Sequence, residues 1–159
     1  MNHYVTGAAT LVVRVAGILA LYAAFAHSAL ADTSNHQKFG DYTVHFSVFN
    51  STFITPEVAQ IYKLTRAGNR ALINISVTKN TDGKTSLGLP AKVTGTATNL
   101  IQQQRVLDFK TIDEGNAVYY LADLRHTNEE VMNFAVDVQV ESEAKPFTVR
   151  FTRKLHTDK

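Results

Sequence analysis

The sequence predicts an all-β protein: an immunoglobulin-like antiparallel β-sandwich of about seven strands, with one short helix between the first two strands. The main observation is that apolar and polar residues alternate along seven segments, which is the period of half-buried strands. Turn-forming residues such as Asp82-Gly83 separate these segments, at the spacing expected of a sandwich or barrel. In a single segment, from Pro56 to Thr65, the apolar residues have the spacing of a helix instead.

The alternation is strongest in the last two strands, where it predicts which side chains form the core. Phe134 and Val136 lie on the apolar phase of one strand and Phe151 on that of the next, and Tyr120 has the same phase in an earlier strand. A weaker, threonine-rich alternation over residues 92–98 is interpreted as an edge strand, and the polar residues 32–37 are expected to be loose. The seven predicted strands begin near Tyr42, Ala71, Lys92, Leu107, Val118, Met132 and Phe147.

Three turns set the expected strand register. Asp82-Gly83 is a strong hairpin signal because both residues tolerate a positive φ angle. Turns over residues 113–116 and 142–145 are expected to close two further hairpins. The resulting pairs are Ile112 with Ala117, Leu107 with Ala122, Lys110 with Tyr119, Asp108 with Leu121, Val138 with Val149, and Asp137 with Arg150.

The helix has a recognisable start. Thr55-Pro56-Glu57 provides an N-cap, a proline at the first helical position and an acid in the first turn. Val58, Ile61 and Tyr62 follow at helical spacing, so the helix has an apolar face. We expect that face to pack against the end of the sandwich or an outer sheet face.

The first 31 residues differ in kind from the rest. Arg14 is the only charged residue before Asp32, and it precedes an uncharged run that ends in Ala29-Leu30-Ala31. Small residues at these two alanine positions fit the cleavage rule of signal peptidase, whereas the run is at the short limit for a membrane span. We therefore expect a signal peptide over residues 1–31, a single β-sandwich domain over residues 32–159, and no stable membrane anchor after cleavage.

Composition excludes several classes of function. Cleavage removes Arg14 from 16 basic residues and leaves the 14 acidic ones, so the formal charge falls from +2 to +1. This balance gives no case for a nucleic-acid partner, which requires a clustered basic face. The sequence has no cysteine, which excludes disulfides, thiol chemistry, cysteine-ligated zinc and lipid attachment to an N-terminal cysteine.

No segment carries a catalytic, cofactor-binding or metal-binding signature. The four histidines after residue 31 are His36, His45, His126 and His156, and no two of them have the spacing of a metal pair. The sequence contains no G-x-S-x-G motif. We therefore predict no enzyme activity, cofactor or metal. The alternative is a small hydrolase whose site assembles in space, with two or more of His45, His126, Asp123 and Glu57 lining one deep pocket.

Charge is distributed unevenly along the last third of the chain. Residues 123–143 contain six acids and one arginine, whereas residues 144–159 contain five bases and one acid. One interpretation is an anion-binding strip formed by Arg150, Arg153, Lys154 and Lys159. The interpretation that we favour is structural: the two strands pair, and Asp137 lies opposite Arg150.

Four apolar residues are out of phase with the core and are the candidate partner-binding residues. They are Tyr119, Leu121, Leu72 and Phe49. A row of exposed apolar side chains marks an interaction surface. The competing explanation is that the predicted helix covers them, and the sequence leaves both explanations open.

Several segments together carry a resemblance to a known family. They are Gly40-x-Tyr42-x-Val44-His45-Phe46, Asn50-Ser51-Thr52-Phe53-Ile54-x-Pro56-Glu57-Val58-Ala59, Ile73-Asn74-Ile75-Ser76-Val77 and Tyr119-Tyr120-Leu121-Ala122. The chain resembles an uncharacterised family of exported Gram-negative proteins, domain of unknown function 4426. The resemblance implies a location in the periplasm, and it brings no activity, ligand or catalytic residue.

The function expected from these observations is binding. We expect an exported, non-catalytic β-sandwich in the periplasm whose partner is an envelope protein or polymer. One alternative is a chaperone-like accessory subunit that uses an exposed sheet edge, because edge strands pair with other chains. The other, from a different class, is the small periplasmic hydrolase.

Overall fold

Two antiparallel sheets pack face to face in the computed structural model, which describes residues 34–158. The strands are β1 (His36–Phe39), β2 (Tyr42–Asn50), β3 (Arg70–Thr81), β4 (Lys84–Thr85), β5 (Lys92–Asn99), β6 (Gln104–Leu107), β7 (Lys110–Asp113), β8 (Val118–Arg125), β9 (Glu130–Gln139) and β10 (Phe147–Leu155). A 3₁₀ turn (Ser51–Phe53) and a helix, α1 (Pro56–Ile61), lie between β2 and β3. The six-stranded sheet has the order β1-β2-β3-β8-β7, with β4 paired to β3, and the four-stranded sheet has the order β10-β9-β5-β6.

The prediction of an all-β sandwich is confirmed. The compact unit that contains the described residues is Asp32–Lys159, and the signal peptide expected over residues 1–31 lies outside the described residues. No helix within residues 34–158 has the length and apolar character needed to cross a membrane.

The structure has ten strands where the sequence predicts seven. Two additions are short strands: β1 includes His36 and Gln37, which were expected to be loose, and β4 follows the Asp82-Gly83 turn. The third arises because the run that begins near Leu107 divides between the sheets. Its first part, β6, pairs with β5, and its second part, β7, pairs with β8.

This division corrects two predictions. Leu107 lies opposite Gly95 in the four-stranded sheet and not opposite Ala122. Because β6 pairs with residues 95–98 of β5 while β9 pairs along its other side, β5 is an interior strand there and not an edge strand.

The inward faces of both sheets meet in one aromatic and aliphatic core. The four predicted core residues, Phe134, Val136, Phe151 and Tyr120, are all buried. The Phe151 ring stacks on Phe46 of the opposite sheet at 4.4 Å and on Phe134 at 4.9 Å. The strand phases read from the sequence are therefore confirmed.

Two hairpin registers differ from the prediction by two residues each. Val138 pairs with Phe147 and not with Val149, and Asp137 therefore lies opposite Thr148, whose hydroxyl donates to its carboxylate at 2.6 Å. The reason is a wider loop, closed by the Gln139 side-chain amide, which donates to the carbonyl groups of Val140 and Glu143. Arg150 lies opposite Ala135, so the predicted Asp137–Arg150 pair is wrong.

The turn near residue 115 is tighter than predicted. The Glu114 N–H donates to the Ala117 carbonyl at 3.0 Å, which leaves a two-residue loop in which Gly115 has a φ of +81°. The corrected pairs are Asp113 with Val118, Ile112 with Tyr119 and Lys110 with Leu121. A slip of two residues keeps every side chain on its face, which is why the core prediction survives both errors.

Helix α1 begins where the sequence predicts and ends earlier. The Thr55 hydroxyl accepts from the Val58 N–H at 3.4 Å, and Pro56 occupies the first turn. The helix stops at Ile61, because Lys63 adopts a φ of +52° and the following N–H of Leu64 returns to the Ala59 carbonyl. The expectation that its whole apolar face is buried is wrong, since Ile61 is 68% exposed.

Candidate functional site

One end of the sandwich collects most of the irregular structure, and we call it the helix end. Strands β2, β5, β8 and β10 finish there, and β3, β6 and β9 begin there. The helix end is defined by residues 50–70, 99–104, 125–130 and 155–158. Loops gathered at one end of a rigid sandwich are a common place for binding sites.

Exposed apolar side chains concentrate at the helix end. Within residues 34–158, six large apolar side chains are exposed, and four of them lie there: Phe53, Ile61, Leu100 and Ile101. Phe53 is 78% exposed and Ile101 is 74% exposed. Burying such groups against water-excluding partners is favourable, so this distribution is typical of an interaction surface.

A cavity of about 250 Å³ opens at the helix end beside Phe53. Its apolar wall comes from β2, the 3₁₀ turn, β3 and β10. Its polar wall comes from the last residue of β2, the residue after β8, Lys154 of β10 and the C-terminal segment. The lining residues are Val48, Phe49, Asn50, Phe53, Ala71, His126, Lys154, Leu155, His156 and Asp158.

His126 is the most informative residue of this lining. It is only 3% exposed, and its Nδ1 lies 2.9 Å from the Thr127 carbonyl oxygen. Because a carbonyl only accepts, Nδ1 is the donor in this hydrogen bond. The other ring nitrogen, Nε2, is buried and has no hydrogen-bond partner within the described residues.

Asn50 lines the same cavity and also has a buried side-chain oxygen. Its Nδ2 donates to the His156 carbonyl at 3.1 Å, which fixes the orientation of the amide. Its Oδ1 is buried and, like the His126 Nε2, has no partner in residues 34–158. Buried polar atoms without a partner are costly in free energy, and these two belong to residues at the same end of the sandwich.

The C-terminal segment is fixed in place as one wall of the cavity. The Asp158 N–H donates to the Gly68 carbonyl at 2.8 Å, and the Thr52 hydroxyl donates to the Asp158 carboxylate. The approach at Gly68 is so close that a Cβ atom there would lie 2.6 Å from the Asp158 carbonyl oxygen. The Thr157 N–H also donates to the Asn128 side chain, at 3.2 Å.

Charges around the helix end are largely paired. The Lys154 ammonium lies 2.9 Å from the Glu129 carboxylate, and this hydrogen bond and charge lower the pKa of Glu129. For Glu130, burial raises the pKa, but hydrogen bonds from the Thr127 N–H and Asn99 and the charge of Arg105 outweigh it, so the pKa is lowered overall. Both carboxylates are thereby held in the ionised form.

The four predicted partner-binding residues share one surface, the outer face of the six-stranded sheet. Phe49 lies directly opposite Leu72, while Tyr119 and Leu121 lie on β8 opposite Ile112 and Lys110. Leu72 is fully buried, so it is not available to a partner and is corrected to a packing residue. Its burial supports the alternative that the connection carrying α1, with its own buried Ala59 and Leu64, covers this part of the sheet.

The other three candidates are half-buried. Phe49 lines the cavity at the helix end, whereas Tyr119 and Leu121 do not line it. Of the predicted residues, only Phe49 therefore belongs to the site described here.

The residues proposed for a hydrolase are not brought together. His126 lines the cavity at the helix end, whereas His45 lies in the middle of β2, where its Nε2 is 3.0 Å from the Thr78 hydroxyl. Asp123 forms an ion pair with Arg70, and Glu57 lies on the exposed first turn of α1. Within residues 34–158, no group of three or more histidine or acidic residues is arranged to hold a metal ion.

Sequence reasoning missed the role of His126, which it treated as a surface histidine in a loop. A signal was present, because Val118, Tyr120, Ala122 and Leu124 define the buried phase of β8 and position 126 continues it. The residue follows the last strand residue, Arg125, and its N–H donates to the Asn69 carbonyl at 2.9 Å, which extends the strand pairing by one residue.

Comparison with solved structures places the fold among bacterial proteins. A DUF4426 family protein from Pseudomonas aeruginosa matches with a TM-score of 0.69 and 32% identity, over 78% of this chain and 95% of that one. FetP of uropathogenic Escherichia coli, expressed in the periplasm for its crystal structure, matches with a TM-score of 0.54 at 10% identity, over 78% and 94% of the two chains. A copper-bound variant of FetP matches with a TM-score of 0.56 at 12% identity, over 77% and 94%.

At these identities, the FetP structures share the fold of this chain alone. No curated protein matches the sequence. The sequence profile described as "Domain of unknown function (DUF4426)" matches residues 36–158, which is nearly all of the described sandwich. With this match and the Pseudomonas structure, the chain belongs to the DUF4426 family.

Proposed function

We propose that this protein is a non-catalytic binding protein of the periplasm and that it binds another envelope polypeptide through the helix end. The observation that carries the proposal is the concentration there of exposed Phe53, Ile61, Leu100 and Ile101, with a cavity beside Phe53. Large apolar side chains that are gathered on one surface and left exposed to solvent are typical of a protein interface.

Two further observations support the proposed periplasmic location and the proposed non-catalytic role. The signal peptide expected over residues 1–31 would export the chain, and FetP, which shares the fold, was produced in the periplasm. His45, His126, Asp123 and Glu57 lie at separate places, which disfavours the hydrolase built from them.

The test is a photo-crosslinking and pulldown experiment on the envelope fraction. A double variant, Phe53→Ser with Ile101→Ser, should lose the captured partner while its denaturant midpoint stays close to that of the wild type. The matched control is Leu87→Ser, an exposed leucine in the β4–β5 connection, on the opposite side of the sandwich, which should retain the partner. Equal capture by the double variant and by the control would contradict the proposal.

A second candidate is the chaperone-like subunit that pairs through a sheet edge. It is favoured by β10, a nine-residue strand that is hydrogen-bonded to β9 and lies at the edge of the four-stranded sheet. Outward-facing Arg150 and Lys154 on β10 are the kind of charges that discourage such pairing, so we place this candidate second. A photo-crosslinker at Thr148 that captures a partner, with none captured from position 101, would favour the edge over the helix end.

A further inference from the structure

Two histidines meet on the outer face of the six-stranded sheet. His36 lies in β1, within residues expected to be loose, and β1 pairs with β2 so that His36 is directly opposite His45. The prediction of no metal rested on the spacing of histidines along the sequence. Such spacing does not reveal a pair that forms across two strands, so this pair became visible only in the fold.

The pair occupies a position in the strand ladder where facing side chains come closest. The Phe46 N–H donates to the Asn35 carbonyl at 2.8 Å, next to the pair, so His36 and His45 themselves form a non-hydrogen-bonded pair. The Cα atoms of such pairs are about 4.5 Å apart, compared with about 5.5 Å in hydrogen-bonded pairs. The centres of the two imidazole rings are 6.1 Å apart.

Both rings have nitrogen atoms available to an ion. His36 is exposed, and its hydrogen bonds with Ser34 use its backbone and not its ring. In His45, the Nε2 lies 3.0 Å from the Thr78 hydroxyl, and the Nδ1 has no hydrogen bond within residues 34–158. Burial and the charge of His36 lower the pKa of His45, which favours the neutral ring that a metal ligand requires.

The two rings need only a small movement to share one ion. Metal–nitrogen bonds of about 2.0–2.1 Å in tetrahedral geometry would place the ring centres about 5 Å apart, or about 1 Å closer than observed. Rotation of a histidine ring about its terminal torsion is broad, and His36 lies on a short edge strand. A cavity of about 210 Å³ beside His45, lined also by Ser47 and Ser76, leaves room for water ligands.

We propose that His36 and His45 together bind one divalent transition-metal cation of the class that prefers imidazole ligands, such as Zn²⁺ or Cu²⁺. Mg²⁺ and Ca²⁺ are not candidates, because they prefer oxygen ligands. With water in the remaining positions, the site is open and exchangeable, unlike a closed structural zinc site with four protein ligands. The bound ion joins edge strand β1 to β2. The site includes no residue of the helix end, so the inference is independent of the proposed function.

The first measurement is isothermal titration of the exported protein after treatment with a chelator. ZnCl₂ should bind at one ion per chain, and a large excess of MgCl₂ should not compete. Cu²⁺ should bind more tightly than Zn²⁺, as it does at most nitrogen sites. Electron paramagnetic resonance of the Cu²⁺ complex should show coupling to the nitrogen atoms of two imidazole rings.

Variants test whether both rings are ligands. His36→Gln and His45→Gln should each weaken Zn²⁺ binding by at least about ten-fold, since loss of even an outer partner of a metal ligand has an effect of that size. His156→Gln, a change of an exposed histidine outside the pair, is the control and should bind as the wild type does. Urea midpoints establish that each variant is folded.

A second control exchanges two neighbours in β1. The double variant His36→Gln with Gln37→His keeps the composition and moves the imidazole to the other face of the strand, so it should also lose binding. Loss of binding in His36→Gln but not in His45→Gln would assign the ion to the N-terminal segment and overturn the proposal. Absence of Zn²⁺ binding, wild-type affinity in the exchange variant, equal loss in His156→Gln, or coupling to a single imidazole would each overturn it as well.

Discussion

Replacing Phe151 by alanine tests the aromatic stack that joins the two sheets. Phe151 is 5% exposed, and its ring lies 4.4 Å from Phe46 on the facing sheet and 4.9 Å from Phe134 on the neighbouring strand. Removing it deletes a buried ring and both stacking contacts, a change that costs about 3–5 kcal/mol in typical cores. A domain of this size has a total unfolding free energy of about 5–15 kcal/mol.

The assay is urea denaturation of the exported protein. With a urea dependence of about 2 kcal/mol per molar, a loss of about 4 kcal/mol lowers the midpoint by about 2 M. Arg150→Ala on the same strand is the control, because this exposed residue should change stability by no more than about 0.5 kcal/mol. If Phe151→Ala unfolds at the same urea concentration as Arg150→Ala, the stack does not hold the sheets together and the reasoning is refuted.

Three further predictions follow from burial and from the sequence. Leu72→Ala should cost about 2–5 kcal/mol by urea denaturation although Leu72 lies on the outer sheet face, whereas exposed Leu87→Ala should cost no more than about 0.5 kcal/mol. Burial and the nearby charge of His36 lower the pKa of His45 below its ordinary 6.5, so stability should fall as pH drops through about 6.5. Removing the ring with His45→Gln should reduce that loss, and equal midpoint shifts in both proteins would contradict it. Intact mass of protein from the periplasm should correspond to cleavage after Ala31, and a mass that retains residues 1–31 would contradict the signal peptide.

The alternation of apolar and polar side chains along the strands was enough to predict which residues form the core. Phe134 and Phe151 are buried because a strand with one face on the core must place every second residue there. The Asp82-Gly83 turn was predictable for a similar local reason, since both residues adopt the positive φ angles, +51° and +78°, that the turn requires.

The registers of the other two hairpins were not predictable from local patterns. The wider loop after Gln139 is bridged by that residue's side-chain amide, and a residue type alone does not reveal such a contact. The passage of the chain from one sheet to the other after Leu107 was not predictable either. Apolar and polar residues alternate in both β6 and β7, and this alternation does not indicate which strand each of them pairs with.

The site at the helix end was the least predictable part. Its members come from segments far apart in the chain, with Asn50 at the end of β2, His126 after β8 and Asp158 near the C-terminus. Only the fold brings them together. Position 126 could have been assigned to the buried phase of β8, but the surroundings of its two ring nitrogens depend on the tertiary fold.

The passage of the chain from β6 to β7 has a consequence for how the protein unfolds. Only Asp108 and Phe109 separate a strand of one sheet from a strand of the other, so neither sheet can detach without pulling on its partner. On the other side of the sandwich, the ring of Phe151 contacts both sheets. We therefore expect the slowest-exchanging backbone amides of the two sheets to share one opening free energy in native-state hydrogen exchange, so that the sandwich behaves as a single cooperative unit.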